Sequence, residues 1–257
     1  MRMNQELGKK LLSILKEEQV KKDEPMKSHT TFRVGGPADY FVTPQTAEEV
    51  AKVIEACTQE KVPYYIVGNG SNLLVSDKGY DGVIIQIYKQ MSRVEVKGHE
   101  IYAQAGALLS MVAKRALDTE LAGFEFAAGI PGTLGGACVM NAGAYGGEMK
   151  DVLKSVTVLD KDGNVKKLAK DELELGYRTS VIAKKGYIVL DAVIELKEGK
   201  AEEIKALMDD LKERRITKQP LEYPSAGSTF KRPEGYFAGK LIQDADLRGF
   251  QVGGAQV

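Results

Sequence analysis

A chain of 257 residues with 43% hydrophobic and 28% charged side chains has the make-up of a soluble globular protein and is long enough for two or three compact units. Lysine plus arginine and aspartate plus glutamate number 36 each, so no bulk charge draws the chain to nucleic acid, a membrane surface or an acidic partner, and any anion must be bound locally. No run approaches the roughly 18–20 apolar residues of a spanning helix, the charged N-terminus is not a secretion signal, and the lone Cys57 and Cys138 exclude a disulfide framework and, with two histidines, argue against a metal site.

These exclusions point to a cytosolic protein whose cysteines are small buried side chains. In chain order, Leu7, Leu11, Ile14 and Leu15 fall at helical spacing, which predicts a surface helix over the first twenty residues, ending before KKDEP. Strand propensity follows at Tyr40 to Val42. Thr46 with Glu49 three residues on predicts a capped helix carrying Val50, Val53, Ile54 and Cys57. The runs YYIVG, LLVS and VIIQI read as short strands, so the first unit, residues 1–90, is α/β. A second, α+β unit, residues 91–197, is expected from VEVKG, IYAQAG, a helix over Leu109 to Leu117, the helical-looking KDELEL, a hairpin VTVLDKDGNVKKL turning at Asp162-Gly163, and the long strand YIVLDAVIEL. A helix over Ala201 to Arg214 opens a third unit, residues 198–257, which stops abruptly at GGAQV.

Two segments carry the strongest chemical signal. Between Phe124 and Gly147 the chain is dense in glycine and alanine, and glycine lets main-chain amides approach a phosphate with no Cβ in the way. VGNGSNLLV, Val67 to Val75, places small residues where successive N–H groups converge on an anion. Neither is a Rossmann fingerprint, since no GxGxxG opens a helix after a strand. The second loop alone is equally a tight structural turn, while the length and order of the first favour binding over a packing turn; the pair together favours a shared nucleotide site. Arg178 is either a solvated surface charge or a guanidinium fork for a carboxylate. Ser228, between prolines in YPSAGSTFKRP, either bonds the backbone of a turn or delivers a proton; no serine-hydrolase elbow or triad order accompanies it.

Taken together, TTFRVGGPA (30–38), VGNGSNLLV, AGIPGTLGGA (128–137), NAGAYG (141–146), YRTS (177–180) and SAGSTFKRP (225–233) resemble the UDP-N-acetylenolpyruvoylglucosamine reductase family, in its shorter, type II branch. The resemblance runs from about residue 25 to the end. It implies an α+β fold: a two-subdomain FAD-binding fold of the vanillyl-alcohol oxidase (PCMH) type plus a third, α/β substrate-binding domain. It also implies FAD and NADPH as cofactors, a UDP-sugar as substrate, and a part in peptidoglycan precursor synthesis. FAD would be held by Gly68, Asn69, Gly70, Ser71, Asn72 and Leu73 on one side. On the other would lie Gly129, Ile130, Pro131, Gly132, Gly135 and Gly136, then Asn141, Gly143, Ala144, Tyr145 and Gly146. Arg178 would stabilise the enolate-like charge, Ser228 would donate the proton, and Tyr177, Lys218 and Lys231 would meet the substrate.

Family chains continue past GGAQV into a segment with a further catalytic glutamate, so the third domain is expected to be incomplete here and substrate reduction poor. A monomer is expected. Another flavin oxidoreductase of this fold, such as an oxidase, and a non-catalytic nucleotide-binding module are the competing readings.

Overall fold

The computed structural model describes residues 4–225 and 227–257; Ala226 of the SAGS segment and the first three residues of the expected N-terminal helix lie outside the described residues. The chain divides into two units, residues 1–225 and 226–257.

In the first unit Asn4 caps helix α1 (Gln5–Ile14), its Oδ1 accepting the Leu7 amide at 2.9 Å, and Leu7 and Leu11 are fully buried. The helix stops at Ile14 rather than near residue 20, and KKDEP lies in strand β1 (Val20–Pro25), antiparallel to β2 (Pro37–Val42). Lysine, acidic residues and proline suit a strand at a sheet edge, where one side needs no partner and little apolar surface is covered. Helix α2 (Ala47–Gln59) starts where Thr46 Oγ1 accepts the Glu49 amide, and the Glu49 carboxylate reaches back to the Gln45 amide at 2.7 Å. Strands β3 (Tyr64–Val67) and β4 (Tyr80–Gln86) complete a four-stranded sheet in the order β1-β2-β4-β3, with β2 and β3 both parallel to β4.

LLVS is not a strand. Leu73 and Val75 pack with Met26, Phe41, Val67 and Ile84 in a small second core, while Leu74 between them is 68% exposed. The alternation that resembles a strand instead seats a loop on apolar side chains.

A second sheet is antiparallel throughout: β5 (Val94–Lys97), β6 (Glu100–Gln104), β7 (Leu153–Leu159), β8 (Val165–Ala169) and β9 (Ile188–Glu195), in the order β8-β7-β9-β6-β5. Register sets Val156 opposite Ala192 and Ala192 opposite Ala103, so small residues line its centre. Helices α3 (Leu109–Asp118) and α4 (Leu134–Val139) belong to the main core with this sheet, and the short α5 (Val181–Lys185) contacts α4. KDELEL forms a 3-10 turn at Lys170–Leu173. Helix α6 (Ala201–Lys218) buries Ile204 and Leu211, packing on α3 and the turn at Glu125–Ala127 within this unit.

In the second unit, helix α7 (Ala238–Asp244) and a two-residue pairing of Gln251–Val252 with Ala255–Gln256 are the regular elements among the described residues. Arg232 stacks its guanidinium 3.9 Å from the Phe237 ring centroid. Phe230, Phe237 and Phe250 are 65%, 62% and 55% exposed. Among the described residues no helix is long and apolar enough to cross a membrane.

Candidate functional site

The loop after β3 is held from outside while its own amides stay open. Thr31 N–H donates to the Gly70 carbonyl at 3.2 Å and Gln86 Nε2 to the Gly68 carbonyl at 3.1 Å. Among the described residues no backbone carbonyl accepts from the amides of Gly68 to Asn72, and Ser71–Asn72 form a turn. Gly70 takes φ +63°. Consecutive unpaired amides around such a residue form a concave anion-binding nest.

The glycine-rich stretch lies directly against this loop. Asn69 Nδ2 donates to the Pro131 carbonyl at 3.0 Å, and a Cβ on Gly68 would stand 2.3 Å from Thr133 Oγ1. The glycines here divide into two kinds. Gly68, Gly70 and Gly135 are demanded by the protein: their added Cβ atoms would come within 3.0 Å of Thr133, the His29 carbonyl and Ala105 respectively. Gly129, Gly132 and Gly136 are not, because an added Cβ would meet nothing closer than 3.5, 3.7 and 3.7 Å, and none has positive φ. The protein's own packing therefore does not require glycine at these three positions, and backbone without a Cβ beside an anion-binding nest is what the diphosphate of FAD would use. Not every amide serves it: Gly135 donates to the Ala105 carbonyl at 2.8 Å and Ile130 to Ala127 at 3.1 Å.

Helix α4 ends in a Schellman closure. Ala142 N–H returns to the Ala137 carbonyl at 2.9 Å, and Asn141 adopts φ +45°, the left-handed position that asparagine tolerates. Asn141 is 2% exposed and its side chain is already used: Nδ2 donates to Glu148 Oε2 and to the Gly176 carbonyl at 3.1 Å, and Oδ1 accepts the Lys150 amide at 2.8 Å. Beyond it, Gly143–Ala144 pairs with Gly147–Glu148, turning through Tyr145 and Gly146 at φ +54° and +92°.

Arg178 sits at the tip of a tight turn in which Gly176 and Thr179 exchange amide-to-carbonyl bonds at 3.1 and 3.3 Å. Its φ is +55°, its Nη2 points at the Gly143 carbonyl at 3.4 Å, and its guanidinium carbon lies 5.7 Å from the Tyr177 ring centroid. That single long bond leaves most of the five guanidinium donors for a ligand. Ser180, fully buried, bonds the Val139 carbonyl at 2.6 Å and caps α5 through the Ala183 amide. Thus Arg178, Gly143 and the end of α4 are brought together. Lys218 is the exposed last residue of α6, while Ser228 and Lys231 are exposed in the second unit.

Burial pushes the thiols of Cys57 and Cys138 up to about 12, so neither is a nucleophile. Two residues at the site escape sequence reasoning. Ser180 reads as one more loop serine. Arg215 of α6 lies with Cδ and Nη1 3.5 and 3.6 Å from the Cβ position of Gly129, and only the packing of α6 on the 125–127 turn reveals it; in sequence it is one of many helix-surface charges.

Residues 38–169 match the FAD binding domain family, and residues 219–257 match the UDP-N-acetylenolpyruvoylglucosamine reductase C-terminal domain. The UDP-N-acetylenolpyruvoylglucosamine reductase of Clostridioides difficile (strain 630) is 56% identical over 254 residues, spanning 99% of this chain and 84% of that protein. The crystal structure of UDP-N-acetylenolpyruvylglucosamine reductase from Thermus caldophilus aligns at TM-score 0.79 and 37% identity, covering 91% of this chain and 82% of that one. Alkyldihydroxyacetonephosphate synthase, at TM-score 0.59 and 18% identity over 77% of this chain and 44% of its own, shares the fold alone.

Proposed function

The chain belongs to the UDP-N-acetylenolpyruvoylglucosamine reductase family, and on that footing we propose that it is the FAD-dependent enzyme of peptidoglycan precursor synthesis that reduces the enolpyruvyl ether of UDP-N-acetylglucosamine to UDP-N-acetylmuramate, with NADPH as electron donor. The observation that carries the cofactor assignment is the pairing of open amides at Gly68 to Asn72 with Gly129, Gly132 and Gly136, where the protein's own packing does not require the absence of a side chain. FAD, when bound, would take a hydride from NADPH and pass it to the enolpyruvyl methylene carbon.

The chain's own residues meet the consequences. Hydride addition at the methylene carbon leaves negative charge on the adjoining carbon and its carboxylate. Arg178 would hold that charge with its unused donors. Ser228 would then protonate the carbon, completing the change from C=CH2 to CH–CH3. Tyr177, Lys218 and Lys231 would orient the nucleotide sugar, and Arg215 would add a cation to the amides facing the cofactor diphosphate. The reading divides the chain into flavin subdomains 1–90 and 91–197 and a substrate-binding part from 198 on, and it includes a cytosolic, monomeric enzyme.

Anaerobic stopped-flow measurement of the two half-reactions tests it. The holoenzyme is expected to be yellow and to bleach with NADPH. Ser228→Ala should leave bleaching intact and slow recolouring by substrate about 10²–10⁴-fold. Arg178→Lys, which keeps charge but not the fork, should slow the same step about 10²-fold without loss of FAD. Equal loss of both half-reactions in either variant overturns that residue's role, and a colourless protein that cannot be loaded with FAD overturns the whole reading.

A further inference from the structure

The Arg178 turn is tied to the glycine-rich stretch on both sides, by a side chain from the stretch and by one from the turn's own end. Before the arginine, the Gly176 carbonyl accepts Asn141 Nδ2 at 3.1 Å; after it, Ser180 Oγ bonds the Val139 carbonyl at 2.6 Å. Both gripping residues are buried, at 2% and 0% exposure. Asn141 makes the more informative of these ties because both of its side-chain N–H donors are already used, leaving none for a cofactor phosphate. Both carboxamide atoms are engaged, by Glu148, Gly176 and Lys150, and its backbone closes α4. The same side chain therefore joins the turn that carries Arg178, the hairpin at 143–148 and the end of the helix that begins beside the open glycines.

We propose that Asn141 is a positioning residue, acting through Arg178 rather than on the flavin: it sets the guanidinium in fixed relation to the cofactor cradle so that the charge stabiliser and the hydride donor meet the same substrate carbon pair. This rests on the reading of Arg178 given above. The chemistry needs such a tie. Charge appears one bond from where hydride arrives, and a misplacement of about 1 Å between groups of this kind costs on the order of 10²-fold in rate. Among the described residues the Arg178 head makes one hydrogen bond, the 3.4 Å contact to the Gly143 carbonyl, and lies 5.7 Å from the Tyr177 ring centroid, contacts too loose to hold the geometry unaided.

Asn141→Gly is the suitable probe, because glycine adopts φ +45° freely and removes the side chain without straining the helix end. In the holoenzyme the variant should keep its FAD and its rate of reduction by NADPH, and its reoxidation by the enolpyruvyl substrate should slow about 10²-fold. Asn141→Asp, which still accepts the Lys150 amide but cannot donate to Gly176 and faces Glu148, should behave alike. The decisive comparison adds Asn141→Gly to Arg178→Ala. If Asn141 acts through the arginine, the second change has little further effect on reoxidation in that background. Should Arg178→Ala reoxidise normally, the reading of the arginine fails and the proposal with it. Should Arg178→Ala be slow while Asn141→Gly multiplies the defect by the same factor in both backgrounds, the proposal alone is overturned. Weakened FAD binding by Asn141→Gly, titrated by flavin fluorescence, overturns it as well.

Discussion

Gly70 and Gly136 look interchangeable on paper, yet their side-chain-free backbones answer to different partners. Gly70 combines φ +63° with a Cβ position 2.0 Å from the His29 carbonyl, so an alanine there must displace backbone. Gly136 has ordinary helical geometry and 3.7 Å of clearance. Gly70→Ala should lower both thermal stability and FAD affinity, the left-handed strain alone costing about 1–2 kcal/mol. Gly136→Ala should leave the melting temperature unchanged or raise it, since alanine is the better helix former by about 1 kcal/mol, while still weakening FAD. Calorimetry with flavin titration checks both, and retained affinity in Gly136→Ala would remove that glycine from the cradle. The sequence marked both loops as places where backbone meets a ligand but could not sort their glycines, because the sorting depends on what each Cβ would strike. The resemblance likewise ranked Asn141 with the cofactor ligands, and only its three protein partners reveal the tie to Gly176.

Elements were legible where local chemistry and burial agree. Thr46, Glu49 and the apolar spacing of Val50, Val53 and Ile54 announce α2, and the Asp-Gly turn announces the β7–β8 hairpin. They were missed or misread where tertiary setting decides: KKDEP, given no element from sequence, pairs as an edge strand, and Leu73 and Val75, read as a strand, cover a sheet face without joining it. The hairpin carries its own lock. Asp160, buried, bonds Lys166 Nζ at 2.7 Å and accepts the Asn164 and Asp162 amides at 2.8 and 2.9 Å. The Lys166 ammonium, then the Asn164 amide, hold its carboxyl well below the usual carboxylate range. A folded-state pKa below the unfolded value of about 3.9 means stabilisation that is complete above that pH and lost as pH falls through it towards the folded value. Urea unfolding should therefore find wild type more stable than Asp160→Asn at pH 7, with the gap narrowing progressively below about pH 4. A gap unchanged by acid would contradict this.

For the molecule as a whole, both walls of the cradle belong to the first unit, and its main core of protein side chains spans both sheets. Deflavination should leave far-UV circular dichroism intact while lowering thermal stability; FAD at a hundredfold its Kd should restore about 2.7 kcal/mol, roughly 5–10 °C in Tm. Collapse of the secondary structure on flavin removal would mean that the cofactor builds the fold. The bond from Asn69 to the Pro131 carbonyl, with those from Thr31 and Gln86 into the Gly68–Gly70 backbone, bears on the traffic of flavin as well. A cradle clamped by the protein's own hydrogen bonds pays little ordering entropy on capture. Loading is then limited by encounter rather than by loop folding, and variants of the cradle should differ chiefly in how long the flavin stays, through koff.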